Sequence, residues 1–234
     1  MPERLLKYIP HAVLDADTRV FSNLRIGGTC GADVGVSTIE ELRLASTVPQ
    51  AFELPFTMIG GGTNTVFPPR YEGVVIKIAA NDFVFGHHKL AAKAGATWMP
   101  ILRQAQAQFY TGLEAFTGLP GTIGGAVRGN AGCFGIEVKD VFLEATVVDA
   151  EGGINTRQKD WFEFDYRNSR LKREGGVVWE AVFALEPDAT PLDIPQNVKA
   201  VAAFRAGNQP AGRPPGSFFT NPTSPAPPPH PPPT

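Results

Sequence analysis

The run Gly60-Gly61-Gly62-Thr63-Asn64, set directly after an apolar stretch at residues 55–59, constrains this chain more than any other feature. Three consecutive residues without a Cβ give access to positive φ and let backbone N–H groups approach a ligand closely. An ordinary tight turn does not need three glycines flanked by Thr63 and Asn64. The pattern is that of a loop built around a phosphate. A second glycine-rich segment, Leu119-Pro120-Gly121-Thr122-Ile123-Gly124-Gly125-Ala126-Val127, followed by Asn130-Ala131-Gly132, comes about sixty residues later. Two such loops suit a pyrophosphate held between two subdomains. Neither spells Gly-x-x-x-x-Gly-Lys-Ser/Thr, and neither spells Gly-x-Gly-x-x-Gly at a helix start, which disfavours a P-loop and a Rossmann fold.

The stretches around these loops read as mixed α and β. Ser37-Thr38-Ile39-Glu40 has capping-box spacing and opens a short helix through Leu42, Leu44 and Ala45, with strands expected at 55–59 and 73–78. Residues 1–80 then form a first subdomain. A strand at 90–94 leads to Thr97 as N-cap, and Trp98, Ile101, Leu102, Ala105 and Phe109 fall at helical spacing up to Gly112. Strands follow at 141–149, 154–157 and 177–185, with Glu151-Gly152-Gly153 as a turn, so residues 81–190 form a strand-rich second subdomain. Helical character returns at 194–205, where Val198, Val201, Ala202 and Phe204 are available to pack. Residues 223–234 hold seven prolines and nothing able to build a core, and read as a disordered tail.

A formal charge of −2 offers no concentrated basic surface for nucleic acid or an anionic membrane, so neither is expected as a partner. No apolar run approaches the roughly 20 residues that span a bilayer, and the N-terminus does not resemble a secretory signal. The expected location is cytoplasmic and the expected state a monomer. Cys30 and Cys133 lie far apart without metal-ligand spacing and read as small buried thiols. His87 and His88 have no carboxylate or cysteine at ligand spacing, so no metal site is expected.

Taken together, Ile26-Gly27-Gly28-Thr29, the Gly60 cluster, residues 118–132, Tyr166-Arg167-Asn168-Ser169 and Gly216-Ser217-Phe218-Phe219-Thr220-Asn221-Pro222 occur in an order that resembles the UDP-N-acetylenolpyruvoylglucosamine reductase family. The resemblance covers roughly residues 20–222. It implies an α+β, two-subdomain FAD-binding fold of the vanillyl-alcohol oxidase type, with residues 191–222 as the start of a third, substrate-binding domain. It implies FAD and NADPH as cofactors, with FAD held by Gly60, Gly61, Gly62, Thr63, Asn64, Gly121, Thr122, Gly124, Gly125, Asn130 and Gly132. The substrate implied is a UDP-sugar nucleotide whose enolpyruvyl ether is reduced to a lactyl ether in peptidoglycan precursor synthesis. Arg167 would hold the substrate carboxylate and stabilise the charge that develops there, Ser217 would supply a proton, and Tyr166 and Asn221 would contact the substrate.

The chain departs from the family in two places. Asn208 stands where the family usually has a lysine, and the family continues past Gly-Ser-Phe-Phe to a strand carrying a catalytic glutamate. The expectation is a C-terminally truncated member with impaired turnover. Two alternatives stay open. One is another FAD-linked oxidoreductase of the same superfamily, which would typically attach its flavin through a histidine or cysteine, where residues 23–65 offer only Cys30. The other is a non-catalytic FAD-binding chain whose proline-rich tail recruits a partner.

Overall fold

The computed structural model describes residues 2–187 and 193–208. The first unit is a four-stranded sheet of β1 (Val13–Leu14), β2 (Thr29–Val36), β3 (Phe56–Ile59) and β4 (Arg70–Ile78), in the order β1-β2-β4-β3. β2 and β3 both run parallel to β4, so the chain must cross over between them, which it does through helix α1 (Ile39–Ala51). Val34, Val36, Val74 and Ile76 meet Leu42 and Ala45 of α1 on one face, while Val75, Ile59, Cys30 and Phe67 form a smaller cluster on the other.

The cap of α1 lies one residue later than expected. Thr38, not Ser37, is the N-cap; its hydroxyl accepts from the Glu41 N–H at 3.2 Å, and the Glu41 carboxylate accepts from the Thr38 N–H at 3.2 Å. This phase turns Leu42 and Ala45 fully into the core and leaves Glu40 outside, paired with Arg43 at 2.9 Å.

The second unit begins after Ile78. Its elements in chain order are β5 (Phe83–Gly86), β6 (Lys89–Lys93), α2 (Trp98–Ala107), β7 (Tyr110–Thr111), α3 (Ile123–Arg128), β8 (Gly132–Cys133), β9 (Ile136–Glu137), α4 (Val138–Val141), β10 (Phe142–Val148), β11 (Ile154–Gln158), α5 (Arg170–Glu174), β12 (Val177–Ala184), β13 (Glu186–Pro187) and α6 (Asp193–Asn208). An antiparallel sheet of order β11-β10-β12-β6-β5 carries α3 against β12, and two short ribbons pair β7 with β13 and β8 with β9. Trp98 of α2 stacks on Phe116 at 4.3 Å and meets Phe183 of β12 edge-on at 5.7 Å. Val148 and Trp179 of this sheet also pack into the first unit's core, and Ile78 touches both cores.

Three local expectations need correction. α2 ends at Ala107, because Phe109 takes a left-handed conformation (φ 57) and terminates the helix before Gly112; its ring is half exposed instead of packed. His87 and His88, both at positive φ, are the two turn residues of a β5–β6 hairpin that was not expected from the sequence. In α6, Val201 is buried and Phe204 meets Phe134 edge-on at 5.5 Å, but Ala202 is exposed. Among the described residues no helix is long and apolar enough to cross a membrane, and no three His, Cys, Asp or Glu side chains gather as a metal site.

Asp33 on β2 carries a stability prediction. Its Oδ1 is buried without a partner among the described residues, and burial pushes the carboxyl above its ordinary range against the opposing pull of Lys77 and the Val34 N–H. The folded carboxyl therefore holds its proton more tightly than the unfolded one. Stability falls as pH rises through the window between the two values, and the cost is complete above the folded one. Asp33→Asn is expected to raise stability at neutral pH by up to about 1 kcal/mol, discounted for the group's partial exposure, and to change nothing below the ordinary carboxylate range. Thermal melts of both proteins across this pH span check the sign; a variant less stable at neutral pH refutes it.

Candidate functional site

The two glycine segments meet face to face. A Cβ on Gly60 would sit 2.5 Å from the Thr122 hydroxyl, and one on Gly61 would sit 2.9 Å from the Gly121 Cα, so neither loop tolerates a side chain where they touch. Gly62 (φ +62) presses against the backbone behind it: its carbonyl accepts from the Asn23 N–H at 2.9 Å, and an added Cβ would lie 1.7 Å from the Phe21 carbonyl oxygen. Ser22, donating to the Thr65 carbonyl at 2.7 Å, fixes the same backing strip. Among the described residues no acceptor takes the backbone N–H of Gly60, Gly61, Gly62 or Thr63, nor those of Gly121 and Thr122. Unspent amides on two touching loops suit an anion.

The second segment divides its labour at the start of α3. The N–H groups of Ile123 and Gly124 donate to the carbonyls of Ala96 and Ala94 at 2.8 and 2.9 Å, and the Gly125 N–H faces the Thr122 hydroxyl at 3.5 Å. The helix start is thus tied to the end of β6. Gly124 serves close packing, since its Cβ would lie 2.8 Å from that of Ala94. Gly121 (φ +108) and Thr122 are left facing the first loop.

Behind the junction lies a cavity of about 480 Å³ between the two sheets. Met58, Ile78 and Val178 give it apolar walls, Gly60, Thr122 and Gly125 form its rim at the loops, and Arg128 and Asp149 add charge. The Asp149 carboxylate is occupied in its own turn, accepting from the Gly153 N–H at 2.6 Å. Arg128 makes no ion pair among the described residues. Sequence reasoning passed over Arg128; its place one helix length from the second glycine cluster was the available signal.

α3, about 9 Å long for its six residues, joins these loops to the Tyr166-Arg167-Asn168-Ser169 motif. The Arg128 carbonyl at its far end accepts from the buried Ser169 hydroxyl at 2.7 Å. Asp165 and Asn168 exchange two backbone hydrogen bonds of 3.1 and 3.0 Å, closing a tight turn with Tyr166 and Arg167 at its tip. Arg167 sits at φ 53, a left-handed conformation that costs an arginine roughly 1–2 kcal/mol. Its guanidinium donates to the Gly132 carbonyl at 3.1 Å and lies 5.1 Å from the centre of the Tyr166 ring, which is 44% exposed. A planar donor fork on a strained turn, partly open to solvent, can clamp a carboxylate. Asn130 is fully buried beneath this turn. Its neighbour Glu137 bonds Lys139 at 2.6 Å and so holds the lysine ammonium above its ordinary value.

The structure thus brings Gly60, Gly61, Gly62, Thr63, Gly121 and Thr122 together, with Asn64 ending the first loop, and gathers Asn130, Gly132, Tyr166 and Arg167 at the other end of α3. Ser217 and Asn221 lie outside the described residues, as do residues 209–234 with the proline-rich tail, and the side chain of Asn208 is not described. The donor set and the cavity fit a dinucleotide: spare amides for a diphosphate, apolar walls for a base.

A family model described as an FAD binding domain matches residues 31–157. The UDP-N-acetylenolpyruvoylglucosamine reductase of Geobacillus thermodenitrificans is 34% identical over 166 residues, which make up 70% of this chain and 55% of that protein. That of Oceanobacillus iheyensis is 31% identical over 215 residues, 91% of this chain and 70% of the relative. The crystal structure of UDP-N-acetylenolpyruvylglucosamine reductase from Thermus caldophilus matches with a TM-score of 0.76 at 27% identity, covering 91% of this chain and 75% of that one. The chain spans little more than half, 55%, of the length of the Geobacillus relatives it matches. Loop order, facing geometry and these likenesses converge on one conclusion: the chain belongs to the UDP-N-acetylenolpyruvoylglucosamine reductase family and has an α+β FAD-binding fold of the vanillyl-alcohol oxidase type.

Proposed function

We propose that this chain binds FAD across the two facing glycine loops and carries out the NADPH-driven reduction of UDP-N-acetylglucosamine enolpyruvate to UDP-N-acetylmuramate. The observation that carries the reading is that the two glycine loops touch, with Gly60 and Thr122 on the rim of the cavity between the sheets, while the N–H groups of Gly60–Thr63, Gly121 and Thr122 find no acceptor among the described residues. In this reading those amides receive the pyrophosphate, Asn64 completes the loop, Gly125 lines the approach and Gly124 sets the helix in place. The adenosine end enters the cavity, and Arg128 balances phosphate charge at its edge.

When bound, FAD supplies the two-electron transfer between NADPH and the vinyl ether. The protein's own part is orientation and charge. Arg167 grips the substrate carboxylate and offsets the negative charge that grows beside it, with Gly132 fixing the guanidinium and Tyr166 forming a wall of the substrate site. Ser217 delivers the proton to the carbon next to the carboxylate, and Asn221 contacts the nucleotide. The chain divides into residues 1–80 and 81–190, which hold FAD, and 191–222, which open the substrate-binding domain, ahead of the tail at 223–234. Both small molecules belong to the cytoplasm, where we place the protein as a monomer.

The purified chain is expected to be yellow, with one FAD released per chain on denaturation, and to oxidise NADPH only when the enolpyruvyl nucleotide is added. A colourless protein that takes up no FAD overturns the cofactor assignment. Flavin-loaded protein whose NADPH oxidation ignores the nucleotide overturns the reaction.

A further inference from the structure

Asn130 does not present its side chain to a ligand. It is fully buried at φ 42, and its amide is spent on three partners in two segments. Nδ2 donates to the Glu137 carboxylate and to the Asp165 carbonyl, both at 3.0 Å, while Oδ1 accepts from the Lys139 N–H at 3.0 Å. No amide proton is left over. Its backbone N–H is also used, donating to the Val127 carbonyl at 3.2 Å.

What these bonds hold is the turn that carries Arg167. Asp165 is the first residue of that turn, and its carbonyl, already accepting from the Asn168 N–H at 3.0 Å, receives its second donor from Asn130. Two residues beyond Asn130, the Gly132 carbonyl accepts from the Arg167 guanidinium at 3.1 Å. Gly132 is confined against Glu137, since an added Cβ would lie 2.8 Å from the Glu137 Cγ, and Glu137 is the carboxylate that Asn130 binds. One short strip therefore grips the turn by its backbone and the arginine by its head. The strip continues directly from α3, whose start carries the second glycine loop.

We infer that Asn130 is a positioning residue for Arg167: it sets the height and direction of the guanidinium relative to the flavin loops, through the Asp165 carbonyl and through Glu137. The inference rests on the reading of Arg167 as a carboxylate clamp. It predicts that the effect of Asn130 on ligand binding passes through Arg167 and vanishes when that arginine is gone.

The test is a double-mutant cycle read by calorimetric titration of the FAD-loaded chain with the enolpyruvyl nucleotide, together with FAD content and thermal melts. Asn130→Asp keeps the shape but turns the two donors into an acceptor facing a carboxylate and a carbonyl. It is expected to weaken nucleotide binding about tenfold in the otherwise unchanged chain and less than twofold in the Arg167→Ala background, with FAD content unaltered. Asn130→Gly, which accepts the positive φ and introduces no charge, repeats the cycle if the aspartate variant does not fold. Equal losses in both backgrounds, or loss of FAD from the Asn130 variants alone, overturn the inference. If Arg167→Ala binds the nucleotide as tightly as the unchanged chain, the clamp reading itself fails. If Arg167→Ala weakens binding and both Asn130 variants do not, only the role of Asn130 falls.

Discussion

Arg167→Gly is expected to slow reoxidation of the reduced, FAD-loaded chain by the enolpyruvyl nucleotide by about 10²–10³-fold, with FAD content unchanged and the fold no less stable. The two halves of this result have different origins. The rate should fall because, in the proposed role, the guanidinium fork is a preorganised partner for a carboxylate whose charge grows during the reaction, and glycine leaves that charge to water. Stability is spared because Arg167 occupies a turn position at φ 53 that glycine adopts freely. Relief of roughly 1–2 kcal/mol of backbone strain offsets the added freedom of glycine in the unfolded chain, about 0.4–1 kcal/mol. Stopped-flow reoxidation and a thermal melt give both numbers. Arg167→Lys keeps the charge without the planar fork and should fall between. A glycine variant with undiminished reoxidation removes Arg167 from the chemistry, and one that sheds FAD makes the arginine a structural residue.

Gly62→Ala is expected to cost at least about 3 kcal/mol and to abolish stoichiometric FAD binding. Two penalties fall on the same atom. The methyl group would lie 1.7 Å from the Phe21 carbonyl oxygen, which belongs to backbone and has no rotamer to change, and the residue must hold φ +62. Relief requires the 21–23 strip and the loop to part, which breaks the bond from the Asn23 N–H to the Gly62 carbonyl and disperses the loop's unspent amides. Against a typical total of 5–15 kcal/mol this is a large fraction. Gly35→Ala on β2 is the control: its Cβ would meet nothing within 4 Å and its φ is ordinary, so melting temperature and FAD content should hold. A Gly62→Ala chain that melts normally and fills with FAD would show that the loop is not locked as described.

The parts of the site that were legible in the sequence are those written in local composition. Triple glycine after an apolar strand marks a loop wherever it stands, and the residues of β3, β4 and β12 announce themselves as short apolar or β-branched runs. The division of the second cluster was not legible. Gly124 and Gly125 look as available as Gly121 until the Ala94 carbonyl is found to take the Gly124 N–H, a contact made only when β6 and α3 pack, and the Thr122 hydroxyl is found to face the Gly125 N–H. Asn130 looked like a ligand residue because it stands beside glycines; only the fold reveals that Glu137, Lys139 and Asp165 consume its side chain. β5 was missed because its turn uses His87 and His88 at positive φ, where glycine, asparagine or aspartate would have signalled a hairpin. Phe109 was misplaced for the same reason: a helix stop performed by a bulky residue has no signature in composition.

Val148 and Trp179 insert into the first unit's core, and Ile78 touches both cores. The two sheets are therefore not beads on a string. Melting either one exposes apolar surface belonging to the other, so the described units are expected to unfold as one cooperative block, and expressing the first unit alone would leave part of its core unfilled. A free hinge that swung the sheets apart would break this shared core. On the proposed placement of FAD, exchange is expected to proceed through local opening of the glycine loops, so that its rate reports on the loops and not on the stability of the block.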